Sequence, residues 1–174
     1  LARKLGDKKL GEDPTLGSQV TLGEFTMQQV NGKLILVAPL VHTGFFKYLD
    51  NVEGTPGYIT VSATNPQDVN LVQKFNDQDL KIKYQDEAYL GEKIKRHIRD
   101  SGFQSEGLTD FSFELDDNGY PYWVITTYEN KTLFNTREAT GTIVVHAMTG
   151  KCEKFSITDS PAWVDIIQPK DFIA

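Results

Sequence analysis

Between Asp110 and Ile157, apolar and polar residues alternate with a period of two in successive runs, and this stretch constrains the fold more than any other. The runs are Phe111, Phe113 and Leu115, then residues 122–128, then residues 142–146. In extended backbone successive side chains point to opposite faces, so each run predicts a half-buried strand. Asn118-Gly119 separates the first two runs and predicts a tight hairpin, because both residues tolerate positive φ. Met148-Thr149-Gly150-Lys151 ends the third run and returns the chain as residues 152–157. The expected result is a four-stranded antiparallel meander.

Upstream, residues 20–27, 33–40, 58–63 and 80–84 predict further strands, with a second Asn-Gly turn at Asn31-Gly32. Residues 86–101 predict the main helix: Tyr89, Leu90, Ile94, His97 and Ile98 share one face at three- and four-residue spacing. Asp86 and Glu87 suit its N-terminal end and Lys95, Arg96 and Arg99 its C-terminal end, with Gly102 as the stop. Residues 1–19 carry Gly6, Gly11, Pro14 and Gly17, which predict a folded arm in preference to a helix. Pro161-Ala162-Trp163-Val164 with Ile166-Ile167 predicts an apolar tail that docks as a short helix or turn.

The two halves rhyme. Asn31-Gly32 and Gly57-Tyr58-Ile59-Thr60-Val61 recur as Asn118-Gly119 and Gly141-Thr142-Ile143-Val144-Val145, displaced by 87 and 84 residues respectively. Two copies are too few for a solenoid and predict a duplicated α+β unit, with Ile59 and Ile143 facing inward alike. The expected division is 1–79 for the first unit with its arm and 80–174 for the second with its tail.

Charge and composition exclude several classes. A net charge of −6 and a pI near 5.0 disfavour nucleic acid, whose affinity rests on basic surface against phosphate. Cys152 is the single cysteine, so neither an intramolecular disulfide nor a multi-cysteine metal site can form. No run approaches the roughly 20 apolar residues that span a bilayer. The chain begins at Leu1 without an initiator methionine and is expected to be a piece excised from a longer polypeptide.

Chemistry is scarce. His42, His97 and His146 lack any HxH or HExxH spacing, so no metal is expected. Cys152 in Lys-Cys-Glu-Lys reads as a packing residue with no catalytic motif around it. Asp116-Asp117-Asn118-Gly119 lacks the alternating acids and distant Glu of a calcium loop, and a hairpin turn accounts for all four. No G-x-S-x-G elbow, G-x-G-x-x-G or P-loop occurs, so no cofactor is expected. Aromatics are the remaining signal. Most fill sheets, but Phe45, Phe46 and Tyr48 in a turn-rich loop, and Tyr120 beside the second hairpin, are candidate partner-binding residues.

The helix at 86–101, followed by Phe113, Asp116 or Asp117, Gly119, Tyr122, Val144, Val145, Thr149 and Gly150, resembles the PepSY-like domains of bacterial extracytoplasmic proteins. The whole chain is also similar to the soluble part of multipass membrane proteins of Gram-positive bacteria, through Lys4-Leu5-Gly6-Asp7-Lys8, Ser62-Ala63-Thr64-Asn65-Pro66, Pro121-Tyr122-Trp123-Val124 and Pro161-Ala162-Trp163-Val164-Asp165. The resemblance implies an α+β fold of two PepSY-like repeats with antiparallel sheets and one main helix. It implies a non-catalytic binding or regulatory domain at the cell membrane, on the extracytoplasmic side of a membrane-embedded parent. A peptide, an envelope component or another segment of the parent would be its partner. The rival expectations are a cell-envelope hydrolase and a purely structural spacer.

Overall fold

The computed structural model describes residues 1–43, 54–83, 90–104, 106–133 and 135–164. The class is α+β: antiparallel sheets with few helices. In chain order come α1 (Ala2–Leu10), α2 (Pro14–Gln19), β1 (Val20–Leu22), β2 (Thr26–Val30), β3 (Lys33–His42), β4 (Tyr58–Ser62) and β5 (Val69–Val72). A small hairpin follows, β6 (Lys74–Phe75) with β7 (Gln78–Asp79), and then α3 (Leu90–Asp100). The last four strands are β8 (Gly107–Leu115), β9 (Pro121–Lys131), β10 (Thr136–His146) and β11 (Cys152–Ser156). The first sheet runs β1-β3-β4-β5 with β2 also on β3, and the second runs β11-β10-β9-β8, the expected meander.

The arm before Val20 is helical, against expectation, so α3 is not the one substantial helix. Gly6, which argued against a helix, lets α1 lie flat on the sheet. A Cβ built there would come within 2.7 Å of Leu22 Cδ1. Leu10 and Leu16 are buried beneath, with Ala2 and Leu5 packed alongside. Asp13 caps α2 by accepting the Leu16 N–H at 3.0 Å, and Pro14 opens it where a missing N–H costs nothing.

Two strand boundaries also differ. The run 20–27 breaks at Gly23-Glu24-Phe25, so β1 and β2 lie end to end along β3. Of the predicted strand 80–84, the described residues 80–83 form an isolated bridge, Ile82 to Thr55, with Leu80 and Ile82 buried. Strand β5 fell below notice because four residues carry too short an alternation to separate from a loop. Residues 84–89, with the predicted start of the main helix, lie outside the described residues.

The Asn-Gly turns are of two kinds. Asn31 and Gly32 both have positive φ, 49° and 78°, in a two-residue loop of the primed type. At 118–119 only Gly119 is left-handed, at 84°, and the loop runs longer, with Asp116 Oδ1 accepting the N–H groups of Asn118 and Tyr120 at 2.9 Å each. The Asp116 carboxylate thus holds a turn together, though the loop of 116–120 is longer than the tight Asn-Gly hairpin expected there. Gly119→Val should destabilise by about 1–2 kcal/mol, because a β-branched residue resists this φ. Wild-type melting of the variant would contradict the assigned turn.

The two meanders correspond strand by strand. Ala38 pairs with Ile59 in the first sheet, and Ile125 with Ile143 in the second. These are the positions displaced by 87 and 84 residues. Ala63 N–H bonds Leu34 O as Ala147 N–H bonds Pro121 O. Ile59 and Ile143 are both fully buried, each on the face that its preceding helix covers: α1 and α2 over Ile59, α3 over Ile143. On the opposite face, Val37 and Tyr58 of the first sheet join the cluster of Phe113, Trp123, Ile125 and Ile143 in the second. That cluster is the main core.

Candidate functional site

The junction of the two sheets is held by side chains that imitate backbone. Gln28, 1% exposed, donates its amide to Leu115 O at 2.7 Å and accepts Leu115 N–H at 2.6 Å. A glutamine thus completes the outer edge of β8 as a neighbouring strand would. Tyr58 donates its hydroxyl to Gly119 O at 2.8 Å and packs its ring on Phe113. Burial, with the nearby Asp116 charge, pushes the Tyr58 phenol up to about 12, so it stays a donor through the physiological range. Asn31 N–H reaches Asp117 Oδ1 at 3.0 Å and ties the two turns.

Next to this junction the surfaces part into a cleft of about 650 Å³, a volume within the usual range for ligand sites. The break between β1 and β2 contributes Gly23 and Glu24, and the first sheet Thr26, Pro39 and Val41; β8 and β9 contribute Asp110, Phe111, Ser112, Phe113 and Trp123. Arg3 closes one end, its guanidinium donating to Leu22 O at 3.2 Å and Gly23 O at 2.9 Å. The floor is apolar and the rim carries both signs of charge.

The β8 wall is irregular where it meets the cleft. Register slips between Thr109 and Ser112, so Asp110 and Phe111 together oppose Ile125, and Asp110 has φ of 51°. Bulges with left-handed residues turn an edge strand and re-aim its side chains. Leu115 directs both backbone groups outward to Gln28, so the period-two alternation directs those of Phe113 to the same edge. A bulged edge strand in an apolar cleft can accept an added extended chain by backbone pairing.

The sequence candidates fall elsewhere. Phe45, Phe46 and Tyr48 lie outside the described residues. Tyr120 is half-buried, packed edge-on against Phe75, Tyr122 and His146 with ring centroids 5.1, 5.1 and 5.6 Å away. Tyr122 sits on Trp163 at 4.7 Å, and burial beside Asp116 pushes its phenol up to about 12. The histidines are separated: His42 lies 3.4 Å from Gly54 O, His97 2.5 Å from Gly150 O, and His146 3.5 Å from the Glu153 carboxylate. Among the described residues no group of three or more His, Cys, Asp or Glu could hold a metal ion.

Cys152 is half-buried, its thiol 3.5 Å from Gly150 O and 3.7 Å from the Ser101 hydroxyl. Burial pushes its pKa up, with the Ser101 contact opposing, which lowers the thiolate fraction that nucleophilic chemistry needs. Alkylation at pH 7.5 should therefore run slower in the native than in the denatured protein. Equal rates would contradict the packing role.

The residues that line the cleft escaped the sequence pattern, with one signal left unused. Leu108 and Phe111 both pack against the main core three residues apart, where an unbroken strand would set them two or four apart. That spacing marks the bulge. As a class, the fold is a pair of docked antiparallel meanders, each covered by helix, with a ligand-sized cleft where they part. Comparison with protein-family models, curated proteins and solved structures yields no match to this chain. Among the described residues no helix is long and apolar enough to cross a membrane.

Proposed function

We propose that this chain is a non-catalytic binding or regulatory domain of two PepSY-like repeats, and that it takes an extended peptide in the cleft between its sheets. Its place is the extracytoplasmic side of a bacterial membrane protein, where such modules hold or restrain a partner. One observation carries the binding reading: the bulged edge of β8, with Phe111 and Phe113, forms a wall of an apolar cleft. Backbone pairing along that edge supplies affinity regardless of sequence, and Phe111 and Trp123 with the charged rim of Arg3, Glu24 and Asp110 select side chains. The repeat reading is supported by matched registers and by each unit having its own covering helix. The division at 79/80 belongs to the same proposal.

The test is a titration of fluorescent extended peptides and, in parallel, of cell-wall muropeptides. Wild type is compared with Phe111→Ala and Glu24→Lys. Saturable peptide binding that weakens about tenfold in either variant is expected. Binding untouched by both variants would move the site away from the cleft. Turnover of either probe would replace the reading with a hydrolase, and muropeptide binding alone would replace the peptide with an envelope component.

A further inference from the structure

The two sheets meet by unlike faces. The first offers Ile35, Val37, Tyr58 and Val72; the second receives them on its helix-covered face, around Phe113 and Trp123. Carried through the matched registers, both surfaces have counterparts that this junction leaves unused. The receiving surface recurs on the first sheet with Met27 in the place of Phe113, Leu36 of Trp123 and Leu34 of Pro121. There it is partly open: Met27 is 55% and Leu34 44% exposed, where Phe113 and Trp123 are 2% and 3%, while Leu36 packs against the cluster under α1 and α2.

The offering surface recurs on the second sheet, with Tyr122 for Ile35, Val124 for Val37 and Phe155 for Val72. The end of the described chain covers it. Val164, 4% exposed, is buried with Val124 and Val144, and Trp163 packs on Tyr122. Ser160 Oγ meets Thr142 Oγ1 at 3.0 Å, and Thr142 occupies the position of Tyr58, whose hydroxyl bonds the other sheet. The segment 160–164 therefore sits on the second sheet where the second sheet sits on the first.

We propose that these are the two halves of one intermolecular interface, and that a second copy of this chain docks head to tail. The Tyr122–Val124–Val144 face of one copy, once its 160–164 segment lifts, settles on Met27 and Leu34 of the next. In the junction inside the molecule, the same register positions of the first sheet pack on the cluster of Phe113 and Trp123. Because the faces differ, the contact is heterologous and can extend to a third copy, and the segment acts as the guard against this. The inference is independent of the cleft and of any peptide.

The experiment separates the two faces. Val164→Asp should displace the segment and give concentration-dependent association in sedimentation, while wild type stays monomeric. Val164→Asp combined with Met27→Lys keeps only the offering face and should be monomeric alone. Mixed with wild type, which keeps only the receiving face, it should form a complex of about twice the monomer mass. A chain ending at Ser160, with and without Met27→Lys, repeats the comparison should Val164→Asp fail to fold. No mixed complex from folded partners, or association that ignores Met27→Lys, overturns the proposal.

Discussion

Gly57→Ala and Gly141→Ala should each destabilise by about 3 kcal/mol and lower the melting midpoint by about 10 °C, for one shared reason. A Cβ built on Gly57 lies 2.1 Å from Val72 O and 3.2 Å from Gln73 Cα. Built on Gly141, it lies 2.1 Å from Phe155 O and 3.2 Å from Ser156 Cα. In each unit the neighbouring edge strand crosses with its carbonyl where a methyl would stand. Backbone is the obstacle, so no rotamer change relieves it, and the strand must shift as a whole. Gly32→Ala is the control: its Cβ meets nothing within 4 Å, and its φ of 78° alone should cost about 1 kcal/mol. Thermal denaturation of the three variants decides it. Similar losses at 57 and 141 support equivalence of the units, and a large loss at only one would count against it.

Gln28→Met should cost about 3 kcal/mol, far above the usual effect of a polar-to-apolar exchange of similar shape. Methionine fills the volume but leaves the Leu115 N–H and C=O buried without partners, at about 1–3 kcal/mol for each stranded group. The second loss is geometric. Gln28 pins β2 to the end of β8 where the cleft begins, so its removal loosens one wall of the candidate site. Denaturant titration measures the first effect. A variant within about 0.5 kcal/mol of wild type would mean that the junction is not held by this amide.

Alternation made the second meander readable, since Phe113, Leu115, Trp123, Ile125, Ile143 and Val145 each sit at an inward position of a long strand. The rhyme of glycine-led strands was readable for the same reason. The crossing backbone that demands Gly57 in the first sheet also demands Gly141 in the second, so local geometry dictates the same residue at both positions. The helical arm was hidden because Gly6 lowers intrinsic helix propensity and only tertiary contact explains it: the sheet needs a residue without a side chain there. The candidate site was hidden more deeply. Arg3, Gly23, Glu24 and Asp110 lie up to 107 residues apart and meet only because the first sheet docks on the second. Gln28, whose amide joins the two sheets, lies just past the predicted strand 20–27, where nothing in the sequence sets it apart.

Whether the two sheets open together or apart is read most directly from native-state hydrogen exchange at the Leu115 amide. Its acceptor is a side chain of the other sheet, so its protection reports the junction and not the strength of either meander. One docked body with a fixed cleft predicts that Leu115 exchanges only through global opening. Its free energy should match those of the Ile59 and Ile143 amides within about 1 kcal/mol, and fall with theirs as denaturant rises. Leu115 exchanging several kcal/mol more readily, while both meanders stay protected, would show two units that part independently and a cleft without a fixed shape.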